Sequence, residues 1–202
     1  MSRHIFDTSH DRYEEFKSHW HGISQWGIDR NIVSQSTSKD QFLKLMTEFS
    51  ELIGADSAAL EFDALCDMVV VCIMIANIEQ LKIDAFSAMY DEFAARSATP
   101  TEDTPVASQF LGFLLGKLAD SILRKNSFTL ACNLFEIINT IDRTARMKGH
   151  DDLIDGLLLV LTELNTRHGT FFNGAFVKNT DPDYENILDK VKLELANNFM
   201  SK

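Results

Sequence analysis

Proline is nearly absent: three residues in 202, at positions 100, 105 and 182. The residue that most disrupts a helix is therefore missing from long stretches, and there apolar side chains recur at the roughly 3.6-residue helical period rather than in alternation. A sheet-rich fold is excluded and an all-α bundle is expected. Cysteine is equally scarce. Cys66, Cys72 and Cys132 lie in apolar helical stretches without C-x-x-C spacing, which excludes a disulfide framework or zinc ribbon and makes them reduced core residues. No apolar run reaches the roughly 18 residues of a membrane span, and Met1 to Asp7 lacks the apolar stretch of a leader. The expected address is cytoplasmic, away from membranes. Histidines show no H-x-x-x-H pair on one helix, and no Gly-x-x-x-x-Gly-Lys loop exists, so a histidine metal site and a P-loop are both set aside. Basic residues are few as well, 19 against 30 acidic ones, for a net charge of −11. Long nucleic acid needs a cationic surplus and is excluded, whereas a small nucleotide delivered as its magnesium complex is not.

About eight helices are expected. The first, near 10–26, carries Tyr13, Phe16, Trp20, Ile23 and Trp26 at helical spacing and runs into a turn at Gly27 to Asn31. The second opens on a capping-box pattern, Ser38-x-x-Gln41, and is expected to bury Phe42, Leu45, Met46, Phe49, Leu52 and Ile53. The third, near 58–79, is apolar all round from Met68 to Ala76 and belongs at the centre of the bundle. Further helices are predicted near 84–96, 107–124, 127–147, 152–166 and 184–199, with a linker at 100–106 and an irregular segment from Arg167 to Tyr184. A shift of 69 residues lays Leu45 to Ile53 on Leu114 to Ile122 and Leu65 to Val69 on Leu134 to Ile138. Residues 1–99 and 107–202 thus read as two diverged repeats packed as one unit, a chain imitating a dimer of two-helix units.

Within the first repeat, Glu48 and Glu51 stand three apart, and Asp63 and Asp67 four apart, so each pair shares a helical face. Acidic residues on a helix are commonly solvated, and Glu48 and Glu51 alone carry little weight. Asp67 is different. Its neighbours Leu65, Cys66, Met68, Val69, Val70 and Val71 leave a carboxylate in apolar surroundings, which costs several kcal/mol unless a cation neutralises it. Either a basic partner or a metal serves. Lys44 and Lys82 merely border the region, so a metal is the simpler account, and oxygen ligands suit Mg²⁺ or Mn²⁺.

The run Lys44-Leu45-Met46-Thr47-Glu48-Phe49-Ser50-Glu51-Leu52, followed by Asp63-Ala64-Leu65-Cys66-Asp67, resembles the E-x-x-E and E-x-x-D signature of MazG-like all-α nucleoside triphosphate pyrophosphohydrolases. Trp26-x-x-x-Arg30-Asn31, Gln41 and Lys44, and Gly169-x-x-x-Asn173-Gly174-Ala175-Phe176-Val177-Lys178 are similar to phage-encoded members. The resemblance implies a bundle that hydrolyses a (deoxy)nucleoside triphosphate to monophosphate and pyrophosphate, with Glu48, Glu51, Asp63 and Asp67 as Mg²⁺ ligands and a glutamate, Glu48 or Glu51, orienting the water. Two positions depart from the pattern: Thr47 replaces an acidic residue, and Ala64 stands where the second motif has glutamate, leaving Asp63 as substitute and Glu61 in reserve. The missing ligand implies either one metal rather than two or altered kinetics.

Lys44, Arg30 and Lys178 are phosphate-binding candidates, Trp26 or Phe42 either stacks on the base or is core, and Asn77, on the Asp67 stripe, could bond a base edge or sugar. In the second repeat the matching positions are Lys117, Asp120, Cys132 and Glu136, so one competent site per chain is expected. The second repeat then packs against the first and walls its pocket. Lys117 is either a solvated lysine or an inward cation for phosphates. The implied substrate is a nucleotide of the pool or one deoxynucleotide such as dGTP or dUTP, acted on in a host cytoplasm if the chain is phage-encoded. A non-catalytic interaction module and a dUTPase or phosphoribosyl-ATP pyrophosphohydrolase relative are the rivals, and an internal pseudo-dimer leaves a homo-oligomer open.

Overall fold

Local capping and the apolar period together set the helices. The computed structural model describes residues 5–8, 11–94, 104–150 and 152–200, with side chains excepted at 91–94, 104–107 and 195–200. Its helices are α1 (Asp11–Asp29), α2 (Ile32–Gln35), α3 (Ser38–Gly54), α4 (Ala58–Ile78), α5 (Ile83–Ala94), α6 (Thr104–Arg124), α7 (Ser127–Met147), α8 (Leu153–Thr166) and α9 (Tyr184–Met200). A two-stranded sheet, β1 (Gly169–Phe172) and β2 (Ala175–Lys178), precedes α9. The all-α expectation holds, with this sheet as its one addition among the described residues.

Three boundaries differ from expectation, each for a physical reason. The α3 capping box lies one residue earlier: Thr37 Oγ1 accepts from the Asp40 N–H at 3.3 Å, and Asp40 Oδ2 accepts from the Thr37 N–H at 2.9 Å. Ser38 instead donates to Glu79, and Gln41 Nε2 donates to Ser36 Oγ at 2.9 Å, so both turn inward. Met46 and Ile53, expected on the buried face of α3, are exposed, because each follows a buried leucine and stands about 100° further round the helix. Helix α1 continues through Gly27, which is a point of close approach rather than a turn, because a Cβ there would collide with Met74 of α4. Pro105 of the expected linker sits in the first turn of α6, where its missing N–H leaves no helical bond unmade, while residues 100–103 lie outside the described ones.

Helix α4 lacks a polar face and is enclosed. Twelve of its residues are buried, and α1, α2, α3, α7 and α8 all pack on it. Helix α3 lies against α4, and α6 against α7, and the two hairpins meet through α4 with α7 and α3 with α6. One core runs through both halves, from Ile5 to Phe171. It includes an aromatic cluster in which Phe6 meets Phe16 edge-on at 5.4 Å and Phe135 at 5.2 Å, and Trp20 meets Phe86 at 5.2 Å. Such rings bury the largest apolar areas available to a side chain. Arg12 ties α1 to the second half, with Nη2 donating to Asp152 at 2.8 Å and standing 3.8 Å from the fully buried Asp142. Arg146 Nη2 completes the pairing of Asp142 at 2.7 Å.

The segment expected to be irregular holds the sheet. Asn173 (φ 49°) and Gly174 (φ 83°) make a two-residue turn of left-handed residues, and the strands pair from Gly169 with Lys178 to Phe172 with Ala175. At Gly169 a Cβ would collide with the Val177 carbonyl oxygen and the Phe176 ring. Gly169→Ala is therefore expected to lower stability by about 1–3 kcal/mol and to strip the hairpin amides of protection from hydrogen exchange. An unchanged melting temperature with protection retained would contradict this packing.

Candidate functional site

The hairpin closes a cavity of about 330 Å³ over the α3–α4 pair. Its floor is Glu48 and Lys44 of α3 with Asp67, Val71 and Met74 of α4; its walls are Trp26, Ile32, Leu164, Arg167, Phe171 and Phe176. Anchoring of the hairpin is specific. The Phe171 N–H donates to the Arg30 carbonyl at 2.7 Å, and Asn31, held at a left-handed φ of 61°, donates from Nδ2 to Thr170 Oγ1 at 2.9 Å. Trp26 Nε1 donates to the Leu164 carbonyl at 2.8 Å, which fixes the indole, and the Phe176 ring stacks on it at 6.3 Å and 28°. The result is an aromatic chamber beside a charged floor.

On that floor Glu48 is buried, with 3% of its side chain exposed, and forms an ion pair with Lys44. Burial raises its pKa, the Lys44 ammonium offsets part of that, and Glu51, within hydrogen-bonding reach, raises it further. Asp67 is half-buried, and its pKa is pushed up to about 6, first by burial and then by the charges of Glu48 and Asp63, with Arg167 and Lys44 pulling the other way. Two cations thus approach Asp67, and one of them, Arg167, comes from 100 residues away in sequence. They do not suffice to restore an ordinary carboxylate.

The candidates separate into those the cavity gathers and those it does not. Glu48, Asp67, Lys44 and Trp26 line it. Glu51 is exposed beside Glu48. Asp63 is exposed one turn before Asp67 and lines a groove on the other side of α4 with Phe62 and His150. Glu61, the reserve, is held by Lys148 and lies 3.3 Å from His150, and Ala64 is buried at 3% exposure, so neither supplies a carboxylate. Arg30 supports the site rather than facing it: its guanidinium lies 5.1 Å over the Trp26 ring and Nε donates to the Arg167 carbonyl at 2.9 Å. Asn77 is turned to α1, where Nδ2 donates to Ser24 Oγ at 2.9 Å, because the stripe it shares with Asp67 rotates away over three turns. Lys178 is exposed at the end of β2, and Phe42 packs against the core. Lys117 lines a different cavity, and Cys132, expected in the core, lies half-exposed beside it.

Arg167, Phe171 and Phe176 are the site residues that sequence reasoning did not pick out. The signal for two of them was present: Asn173-Gly174 between short apolar runs marks a tight hairpin, and every second residue of such a hairpin faces inward.

Comparison with known proteins places the chain near phage. It is 40% identical over 58 residues, 27% of its length, to an uncharacterized 18.2 kDa protein from the rep-hol intergenic region of Haemophilus phage HP1. The match spans 36% of that relative, well short of its whole length. No protein-family model and no solved structure matches the chain. No helix among the described residues is long and apolar enough to cross a membrane.

Among the described residues, no three His, Cys, Asp or Glu side chains stand at metal-holding distances. Mg²⁺ does not require three. It keeps several waters and is commonly held by one or two carboxylates together with substrate phosphates. Glu48 and Asp67 line one cavity, the Glu48 charge raises the proton affinity of Asp67, and Glu51 stands beside Glu48, so these oxygen donors suit a hard cation.

Proposed function

We propose that this cavity binds a nucleoside triphosphate and hydrolyses it to the monophosphate and pyrophosphate. The observation that carries the reading is the meeting of the buried Glu48 and the half-buried Asp67, whose proton affinity the Glu48 charge raises, with aromatic walls and two cations in a single cavity. Glu48 and Asp67, with Glu51 beside Glu48, would hold Mg²⁺ or Mn²⁺, and such an ion would supply Lewis-acid withdrawal of charge from the phosphates. The stacked pair of Trp26 and Phe176 forms the aromatic wall beside which the base lies, with the indole kept in place by its hydrogen bond to the Leu164 carbonyl. Lys44 and Arg167 take the phosphates by charge.

Glu51, exposed beside Glu48, accepts the proton of the attacking water. The water oxygen bonds to the α-phosphorus, the bond from that phosphorus to the α–β bridging oxygen breaks, and pyrophosphate leaves with the electron pair. Resemblance to MazG-like enzymes supports the same reaction. The likeness to a phage protein is consistent with a deoxynucleotide substrate in a host cytoplasm.

A non-catalytic nucleotide-binding module is the second reading, favoured by the buried Ala64 and the occupied Glu61, which leave the second motif short of one carboxylate. Incubating the chain with ribo- and deoxynucleoside triphosphates and Mg²⁺ or Mn²⁺ separates the two. Hydrolysis gives metal-dependent pyrophosphate and monophosphate in equal amounts; the module gives binding and no product.

A further inference from the structure

We propose that the cavity between α6 and α7 is a second binding site, which takes a nucleoside phosphate without a metal ion. It stands independently of any turnover at the first cavity. The 69-residue shift seen in the sequence relates the linings of the two cavities: Gln41, Lys44, Glu48 and Asp67 line the first, and Phe110, Phe113, Lys117 and Glu136 line the second. The second cavity is the wider, about 920 Å³, and the hairpin that closes the first has no counterpart over it among the described residues. At the matched positions Gln41 and Lys44 give way to Phe110 and Phe113, and the sign of charge reverses at Glu48. Glu48, which makes the first cavity demand a cation, is replaced by Lys117, so the second cavity brings its own.

Its chemistry fits the three parts of a nucleotide. The phenyl rings of Phe110 and Phe113 stack on each other at 6.2 Å and remain 39% and 58% exposed, offering flat faces to a base. Lys117 Nζ lies 5.1 Å over the Phe113 ring, and Arg124, paired with Asp120 at 2.8 Å, is the second cation at the rim, so an anionic group bound beside the rings meets two donors. Glu136, half-buried and facing Lys117 and Arg143, and Asn133, buried beside Ser121, provide an acceptor and an amide for sugar hydroxyls or a base edge. Its lining carboxylates, Asp120 and Glu136, are matched by Lys117 and Arg124, whereas in the first cavity Asp40, Glu48 and Asp67 line the wall with only Lys44 and Arg167. Free phosphate or pyrophosphate would use the cations alone, and the exposed rings argue for the whole nucleotide.

Calorimetric titration of the full chain with adenosine and guanosine monophosphates in EDTA tests this. One binding event is expected, weakened about tenfold by Lys117→Glu and by Phe113→Ser, since a hydrogen bond to a charged donor and a base stacked on an aromatic ring each carry about that much. Both side chains are exposed, so the variants should keep the wild-type circular dichroism. Asp67→Asn should leave the affinity unchanged. Absence of binding to wild type, or binding that ignores Lys117→Glu and tightens in Asp67→Asn, would overturn the proposal, the latter by assigning the ligand to the first cavity. Equal affinity for inorganic pyrophosphate would remove the nucleoside from the ligand and overturn it as stated.

Discussion

Glu48→Gln and Asp67→Asn are each expected to slow pyrophosphate release by roughly a hundredfold to ten-thousandfold, the range for loss of a charge acting in the transition state. Both substitutions keep volume and hydrogen-bonding atoms while removing the negative charge, so a loss of rate reports charge and not packing. The structure also ranks the remaining candidates, which the motif alone treats as equals. Asp63 is exposed and outside the cavity lining, and it acts on Asp67 only through its field, so Asp63→Asn should cost much less than Asp67→Asn. Lys178 is exposed at the end of β2, and Lys178→Ala should stay within about twofold, a surface charge being weakly coupled to a site it does not touch. Steady-state kinetics on the four variants checks the order. A Lys178 variant as damaged as the Asp67 variant would mean that phosphates bind outside the cavity.

Asp67→Asn is expected to do the opposite to the fold: it should raise stability at pH 7.5. The folded-state pKa of Asp67 lies above the ordinary 3.8, at about 6, so the folded chain holds this proton more tightly than the unfolded one. Ionisation therefore costs nothing below 3.8, costs progressively more as pH rises toward 6, and costs its full amount above 6. That amount is on the order of 2 kcal/mol, given about 1.4 kcal/mol per pH unit and some solvent screening. Removing it should raise the melting temperature of a chain this size by about 4–8 °C. At pH 3.5 wild type and variant should melt alike. Glu48, also raised by burial, works in the same direction. Saturating Mg²⁺ should stabilise wild type, by about 2.7 kcal/mol at a hundred times the dissociation constant, and leave Asp67→Asn unmoved. A variant that melts lower than wild type at pH 7.5 would show that Asp67 is already well neutralised by Lys44 and Arg167.

The helices were legible because their signals are local. Six of the helices among the described residues, α1, α3, α5, α6, α7 and α8, bury residues at the helical period, and α4, apolar all round from Met68 to Ala76, is found at the centre of the bundle as its composition implied. The charged half of the site was legible for the same reason, since Glu48 and Asp67 sit at fixed spacings on adjacent helices. The aromatic half was not. It depends on Arg30, Asn31 and the strand Gly169–Phe172 meeting from opposite parts of the chain, and no short window contains that contact. Arg167 illustrates the limit most sharply: the sequence near Asp67 offers few cations, and the structure supplies one from the end of α8. Gly27 is the converse case, a turn residue by type that serves as a packing contact with Met74. Asn77 fails by geometry, because a stripe followed for ten residues along a straight helix drifts off the face where it began.

The most direct test of the central claim is a phosphorus NMR time course of wild type and Asp67→Asn with each deoxynucleoside triphosphate and Mg²⁺ in heavy-oxygen water. The account predicts that wild type alone converts a triphosphate to monophosphate and pyrophosphate, with the heavy oxygen on the monophosphate. Unconsumed nucleotide throughout, or orthophosphate as the first product, would contradict it.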